Sequence, residues 1–192
     1  MPELSVTNWS GISVIDFTNM ASGLDVIESP AHLKDPNSTG THLFQAEAGI
    51  KNADGIKRTH NDVLFAVPKL KAPGEAFEYG SANTQILGMP VERIIKKPFS
   101  DIVSERIWSK IGSEGDTLIC LSTDGQALIH GCFSSRLRDF ARYGMLYTSS
   151  WNKVAGEPVI SAQMLKRIQK GGNPENFYKG VSGPRFARHA TR

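Results

Sequence analysis

Polar and apolar residues alternate over a short stretch before the pattern becomes helical. Pro73-Gly74 predicts a turn, because proline presets φ and glycine permits positive φ. Directly after it, Phe77 and Tyr79 alternate with Glu78, which is typical of an extended segment. The pattern therefore predicts a turn and then an extended segment that ends near Tyr79.

A helix is predicted to follow this segment. Ser81 or Asn83 can cap it, and its apolar residues recur at helical spacing. These residues are Ile86, Leu87, Val91, Ile94 and Ile95. Pro90 removes one backbone donor, so we expect a kink or a restart there. Tyr79 thus precedes a helix, where its side chain can be aimed while it stays near solvent. The structural alternative is a packed tyrosine with a locally satisfied hydroxyl.

Other helices are predicted where a capping residue precedes apolar residues at helical spacing. They follow Ser13, Thr59, Ser134 or Ser135, and Ser161, and a further helix has Pro98 in its first turn. Residues 118–129 instead predict a hairpin around Asp124-Gly125. Residues 25–58 show no such pattern, and so long a connection either wraps a domain or forms part of a site. The predicted fold class is mostly α with a short β-hairpin.

The composition excludes several classes of protein. The chain has 192 residues, of which 40% are hydrophobic and 21% charged, and this is ordinary for a globular domain. A net charge of +3 is too small to favour nucleic acid or an acidic membrane as a partner. No apolar run approaches the length of a membrane span, and the first residues have no signal-peptide pattern.

Neither the histidines nor the cysteines match a metal-binding motif. His32, His42 and His60 have no metal-ligand spacing, and Cys120 and Cys132 do not form a C-x-x-C pair. We therefore expect no metal site. One disulfide is possible, although nothing in the sequence indicates it. Between a reactive and a buried, inert thiol, we interpret Cys132 as the inert one.

Four segments in order resemble the serine β-lactamase-related hydrolases. They are residues 12–24, the pattern Pro-Gly-x-x-Phe-x-Tyr-x-Ser at 73–81 with its helix, residues 97–112 and residues 130–144. That family includes class C β-lactamases, D-Ala-D-Ala carboxypeptidases, esterases and 6-aminohexanoate-dimer hydrolases. The chain resembles the last of these branches most. Cys132 stands where that branch usually has a glycine.

The resemblance implies the helical part of a β-lactamase/transpeptidase-like α+β fold that lacks most of its sheet. The family's Ser-x-x-Lys motif should precede Ser13, and its Lys/His-Thr/Ser-Gly strand should follow residues 161–170, but neither is spelled there. We therefore expect an internal fragment, with a partial domain over residues 1–178. Residues 179–192, which are rich in glycine and arginine, predict a poorly ordered tail.

By the same resemblance, the protein is part of a serine hydrolase that acts on a small-molecule amide, ester or peptide through an acyl-serine intermediate. Tyr79 would be the catalytic proton carrier, because a nearby lysine ammonium favours a phenolate. Ser81 replaces the asparagine of the family's Tyr-x-Asn motif. With Asn83, it is our candidate for substrate binding. The resemblance implies no cofactor. It leaves bacterial cytoplasm and periplasm open as the compartment.

A literal Ser-x-x-Lys occurs at residues 150–153, but it lies late in the chain, just after a predicted helix. We predict that Ser150 is not the nucleophile and that Asp139 is a structural partner of nearby backbone or arginine. Two alternatives use the same scaffold: a non-catalytic binding protein and an inactive fragment.

Overall fold

The computed structural model describes residues 1–182, which form eight α-helices and one two-stranded sheet. The helices are α1 (Val14–Thr18), α2 (Thr39–Ala48), α3 (His60–Phe65), α4 (Ser81–Ile95), α5 (Phe99–Arg106), α6 (Leu137–Met145), α7 (Ala162–Lys170) and α8 (Pro174–Lys179). The strands are β1 (Leu118–Ile119) and β2 (Phe133–Ser134). Helices dominate, with one short antiparallel pair, so the predicted fold class is confirmed.

The described chain divides into two compact units. Unit 1 comprises residues 1–90, 121–130 and 173–182, and unit 2 comprises residues 91–120 and 131–172. Unit 1 is therefore assembled from three separate pieces of the chain. Each unit has its own apolar cluster of buried residues.

The core of unit 1 collects apolar side chains from its first 86 residues. Its buried members are Trp9, Phe17, Leu24, Val26, Leu43, Ala46, Val63, Leu64, Val67, Ala82 and Ile86. The indole Nε1 of Trp9 donates to the carbonyl of Leu64 at 2.5 Å, so this large side chain is buried with its polar group satisfied. The cluster anchors helices α1 to α4 to one another.

Helix α2 lies in the region for which the sequence showed no helical pattern. Ser38 caps it by accepting the backbone N–H of Thr41, and Gly49 ends it with a φ of 70°. Only Leu43 and Ala46 of the helix are buried. An apolar stripe of two residues is too sparse to reveal a helix of this length.

Helix α3 begins as the sequence predicted. The Thr59 side chain accepts the backbone N–H of Asp62, whose carboxylate accepts the N–H of Thr59 in return. This reciprocal capping box satisfies two donors that would otherwise lack partners. It also fixes His60 as the first residue of the helix.

Helix α4 starts at Ser81 and continues through Pro90 as one element, so of the two expectations, a kink or a restart, the restart does not occur. Ser81 and Asn83 both lie within its first turn. On its buried side, a Cβ built on Gly88 would lie 2.1 Å from the Cδ1 atom of Ile129. A larger residue at this position would require the Ile129 side chain to move.

In unit 2, the core is built around Trp108, Ile111, Leu146 and Ala155. Strand β1 pairs with β2, not with the predicted partner at residues 126–129. The disulfide Cys120–Cys132 lies next to this pair, with a Cα–Cα distance of 5.4 Å. Our interpretation of Cys132 as an inert thiol is therefore wrong. Its φ of 55° lies in the left-handed region that favours glycine.

The predicted Asp124-Gly125 turn is present in unit 1. The N–H of Ser122 donates to the carbonyl of Gln126 at 2.8 Å, and Gly125 has a φ of 83°. One isolated bridge joins Leu121 to Ala127. The turn chemistry was thus predicted locally, whereas the strand partner depends on contacts that local sequence does not specify.

Helices α6 and α7 differ in how their first turns are capped. Ser161 accepts the N–H of Met164 and caps α7, as predicted. Arg136 occupies the cap position of α6 in place of the predicted Ser134 or Ser135.

Residues 179–182 of the predicted tail are described, and residues 183–192 lie outside the described residues. No described helix is long and apolar enough to cross a membrane.

Candidate functional site

Tyr79 has a fixed backbone and an exposed side chain. Its N–H donates to the Ser182 hydroxyl at 3.2 Å, and its carbonyl accepts the Glu28 N–H at 3.0 Å. The residue is 38% exposed. Backbone bonds on both sides therefore hold the residue while its phenol stays accessible at the start of α4.

The next two residues fix the turn into the helix. A Cβ built on Gly80 would lie 1.9 Å from the Val26 carbonyl oxygen, so no larger residue fits without backbone movement. The Ser81 N–H donates to a Glu28 carboxylate oxygen at 2.6 Å. Ser81 is half-buried, and its backbone is thus positioned by the segment that also binds Tyr79.

Asn83 lies deeper than Ser81 and is completely buried. Its Nδ2 donates to the Met20 sulfur at 3.7 Å, whereas its Oδ1 has no hydrogen-bond partner among the described residues. Met20 itself has a φ of 53°, an uncommon conformation for a residue other than glycine. The structure therefore places Asn83 close to Ser81 along the helix but away from solvent.

Glu78 points to the opposite side from Tyr79. Its side chain is 5% exposed, and one carboxylate oxygen accepts from Lys71 Nζ at 2.6 Å. The other oxygen accepts the Val181 N–H at 3.0 Å. Buried carboxylates are stable only when they are paired in this way. The alternation seen in the sequence thus buries the charged residue and exposes the tyrosine.

Residues 173–182 pack along the same segment. The Phe77 N–H donates to the Asn176 carbonyl at 2.8 Å, and the rings of Phe77 and Phe177 lie 5.1 Å apart. Neither contact is visible from sequence, because about 100 residues separate the partners along the chain. These contacts complete the support of residues 77–81, the Tyr79 segment, within unit 1.

A second polar cluster in unit 1 contains Glu47, His60 and His130. One Glu47 oxygen lies 3.2 Å from His60 Nε2 and 3.3 Å from His130 Nε2. Burial lowers the pKa of His130 below 6.5; His60 reinforces this shift, and the carboxylates of Glu47 and Glu28 oppose it. Sequence reasoning missed this cluster, because its members come from α2, α3 and the segment after the Asp124-Gly125 turn.

Unit 2 contains the literal Ser-x-x-Lys sequence. Ser150 precedes a single 3-10 turn at Trp151–Lys153, and both Ser150 and Lys153 are exposed. Asp139 of the same unit is fully buried and accepts the Glu114 N–H and an Arg142 N–H. The prediction of a structural role for Asp139 agrees with these bonds. Burial opposes its ionisation, but these two donors lower its pKa below 3.8.

A cavity of about 220 Å³ also lies in unit 2. Its lining consists of Ser100, Val103, Ser104, Trp108, Asp116, Thr117, Ile119 and Phe133. None of the sequence-predicted site residues is among them. The candidate site therefore remains the exposed phenol of Tyr79 with Ser81 beside it.

The chain is similar to several known proteins. A 6-aminohexanoate-dimer hydrolase from Paenarthrobacter ureafaciens is 27% identical over 176 residues, which cover 91% of this chain and 43% of that protein. A solved structure of a candidate 6-aminohexanoate-dimer hydrolase from Bacillus anthracis superposes with a TM-score of 0.74 at 20% identity. The superposition covers 92% of this chain and 45% of the Bacillus anthracis chain.

A solved structure of a candidate β-lactamase from Bacteroides dorei superposes with a TM-score of 0.60 at 21% identity. The superposition covers 88% of this chain and 46% of the Bacteroides dorei chain. At these identities the two structures establish the fold alone. The chain spans less than half the length of each relative. The β-lactamase family model matches residues 1–119, more than half of the 192 residues. The chain therefore belongs to the serine β-lactamase-related hydrolase family.

Proposed function

We propose that this chain is part of a serine hydrolase that cleaves amide or ester bonds through an acyl-serine intermediate, with Tyr79 as the proton carrier. The observation that carries the proposal is the arrangement of Tyr79. Its backbone is hydrogen-bonded to Glu28 and Ser182, and the residue is 38% exposed just before α4. A group that moves a proton in a reaction needs this combination of fixed position and access.

In this proposal, the serine oxygen attacks the substrate carbonyl while Tyr79 accepts the serine proton. The proton then passes to the leaving amine or alcohol, and water later cleaves the acyl-serine ester. The Ser-x-x-Lys and Lys/His-Thr/Ser-Gly motifs are proposed to lie outside these residues. The name of the Paenarthrobacter relative, a 6-aminohexanoate-dimer hydrolase, supports an amide as the first substrate class to test.

Ser81 is the proposed substrate-binding residue next to Tyr79, because it is half-buried at the first position of α4. Asn83 was predicted from the sequence to bind substrate too. Its amide is fully enclosed, so in this conformation we assign it an indirect contribution, through its packing against Met20.

The test uses the longest reading frame that contains these residues, with Tyr79→Phe as the variant. We expect kcat to fall by about 10²–10⁴-fold on 6-aminohexanoate dimer or p-nitrophenyl esters, because one general acid–base group typically contributes this much. KM should change little, since the hydroxyl acts on the proton in transfer. Tyr178→Phe is the matched control, because Tyr178 is 66% exposed in the same unit.

The same two variants should also be compared by thermal unfolding. A Tyr79→Phe protein with unchanged kcat and a lowered Tm would show that the hydroxyl is only structural, worth about 0.5–1.5 kcal/mol. A wild-type protein with no turnover and no covalent labelling by a fluorophosphonate would instead favour the non-catalytic binding protein or the inactive fragment.

A further inference from the structure

The Glu47–His60–His130 cluster brings three potential metal ligands together inside unit 1. Glu47 lies near the end of α2, His60 begins α3, and His130 follows the Asp124-Gly125 turn. Their candidate ligand atoms all lie within 4.8 Å of one another. The His60 side chain is fully buried, and those of His130 and Glu47 are 11% and 14% exposed. The cluster is therefore a built, mostly buried group.

Gln85 determines which nitrogen of His130 bears a hydrogen. The Gln85 Nε2 donates to the Ala127 carbonyl at 2.9 Å, and its Oε1 accepts the Ile129 N–H at 2.9 Å. These two backbone bonds assign the orientation of the amide. Its Oε1 also lies 3.0 Å from His130 Nδ1, so Nδ1 must be the protonated nitrogen that donates to it. The Nε2 atom of His130 is thereby left to face Glu47.

His60 has a parallel arrangement. Its Nδ1 faces the Gln126 Oε1 at 3.5 Å, and its Nε2 faces the same Glu47 oxygen that His130 faces. The two imidazole rings are stacked with centroids 6.1 Å apart. In the neutral forms with Nδ1–H, two nitrogen lone pairs converge on one carboxylate oxygen. Such a convergence of acceptors in a buried site needs a positive charge or a shared hydrogen among them, which either a proton on one Nε2 or a bound cation supplies.

We propose that His60 Nε2, His130 Nε2 and the Glu47 carboxylate bind a divalent transition metal ion, with zinc as the best match to the ligand types. Two imidazoles and one carboxylate are common zinc ligands, with bonds of about 2.0–2.2 Å, and a tetrahedral site of that size separates neighbouring ligands by about 3.3–3.5 Å. The two nitrogen–oxygen distances of 3.2 and 3.3 Å agree with this spacing, and the two Nε2 atoms lie within 4.8 Å of each other, so the imidazoles would move closer together around a bound ion. The Gln85–His130 bond supplies the outer hydrogen bond that usually orients a ligating histidine.

The site would join elements that are far apart in the chain. Its ligands belong to α2, α3 and residues 121–130, and Gln85 lies on α4 one turn after Ser81. A bound ion would therefore stabilise the packing around the start of α4. This proposal departs from the expectation of no metal site, and it does not depend on the proposed hydrolase activity.

The test begins with the chelator-stripped wild-type chain, its fold checked by circular dichroism. Titration with Zn²⁺ against a chromophoric chelator should give one bound ion per chain and a higher Tm, because the ion binds only the folded state. Substitution with Co²⁺ should produce the visible absorption of a four-coordinate site with nitrogen and oxygen ligands. A folded wild-type chain that binds neither ion overturns the proposal without any variant.

Glu47→Gln is the informative variant, because it keeps the size of the side chain and removes the anionic ligand. We expect at least a tenfold loss of zinc affinity and loss of the cobalt absorption. His42→Gln is the matched control, because His42 lies on the same helix outside the cluster; its affinity should equal that of the wild type. Equal zinc binding by wild type, Glu47→Gln and His130→Gln would overturn the proposal, since the ion would then lie elsewhere.

Discussion

The Tyr79 segment and the Ser150–Lys153 turn are both motif-like stretches, but they differ in how they are held. The Tyr79 segment departs from its family motif at Ser81, yet partners 53 and 103 residues away along the chain bind its backbone. Residues 150–153 match the Ser-x-x-Lys pattern at both of its fixed positions. Their backbone bonds are local, such as that between the Lys153 N–H and the Ser150 carbonyl.

This difference shows what a catalytic motif needs in addition to the correct residue types. A reacting group has to be held near one geometry, and residues whose own positions are fixed by packing and hydrogen bonds provide that. An exposed 3-10 turn with local bonds does not. Literal agreement with a motif is thus weaker support for a site than the long-range hydrogen bonds around an imperfect one.

The largest expected effect on stability comes from Gly80→Ala. The added Cβ would lie 1.9 Å from the Val26 carbonyl oxygen, and both atoms belong to the backbone. We expect a loss of about 3 kcal/mol in the free energy of unfolding, since neither backbone can yield as a side chain does. Urea denaturation measures this loss.

The control for Gly80→Ala is Gly156→Ala, near the Ser150 turn, where a Cβ would meet nothing within 4 Å. The control should unfold like the wild type. Equal stability of both variants would show that the Tyr79 segment is no more constrained than the Ser150 region.

A smaller effect is expected for Glu78→Gln. The substitution weakens the bonds of a 5% exposed carboxylate with Lys71 and with the Val181 N–H. We expect a cost of about 1–2 kcal/mol, because buried partners lose hydrogen bonds to a charged group. The matched variant is Glu157→Gln, which removes an exposed pair with Lys110 in unit 2.

Thermal unfolding should show a clear decrease in Tm for Glu78→Gln and no measurable change for Glu157→Gln, since exposed ion pairs contribute little. The reverse order of the two Tm values would contradict the picture of a tightly held Tyr79 segment.

In unit 2, Asp139 is a buried carboxylate with hydrogen-bond donors on one oxygen, and its contribution to the stability of the fold should depend on pH. Its folded pKa is lowered below 3.8, where the N–H of Glu114 and the Arg142 guanidinium outweigh the effect of burial. A lowered folded pKa means that the stabilisation is present above the unfolded pKa and is lost as the pH falls through the folded one. The Tm difference between wild type and Asp139→Asn should therefore be largest near neutrality and shrink in acid.

Asp116→Asn, an exposed carboxyl in the same unit, serves as the control and should melt like the wild type throughout the same pH range. A Tm difference for Asp139→Asn that is constant from neutrality to acid would show that the carboxylate charge is not what stabilises this region.

The smallest expected effect is that of Ser150→Ala. Ser150 is exposed and precedes a single 3-10 turn, so we expect unchanged stability and unchanged fluorophosphonate labelling. Mass spectrometry of labelled peptides provides the measurement. If Ser150 were labelled in the wild type and the label were lost in the variant, the Ser150–Lys153 turn would be a better candidate for the catalytic site than the Tyr79 segment.

Local chemistry was predictable from the sequence. The caps at Thr59 and Ser161, and the turn at Asp124-Gly125, lie where their residue types indicated. In each case the hydrogen bonds join residues within a few positions of one another. A short window of sequence therefore contains all the atoms that decide the structure.

Features that depend on distant partners were not predictable. Helix α2 has only two buried residues, so tertiary packing stabilises it without a visible apolar stripe. The Cys120–Cys132 disulfide, the pairing of β1 with β2 and the His–Glu cluster all require knowledge of which segments meet in space. The position of Tyr79 before α4 was predicted, whereas its attachment to residue 182 was not.

The three-piece construction of unit 1 has a consequence for how the protein is made. Residues 1–90 leave the ribosome long before residues 173–182, which supply the Ser182 hydroxyl to Tyr79 and the Val181 N–H to Glu78. Until then, the acidic side chain of Glu78 lacks one of its buried partners. The nascent Tyr79 segment should therefore stay open to proteases and chaperones until residues 173–182 have been translated.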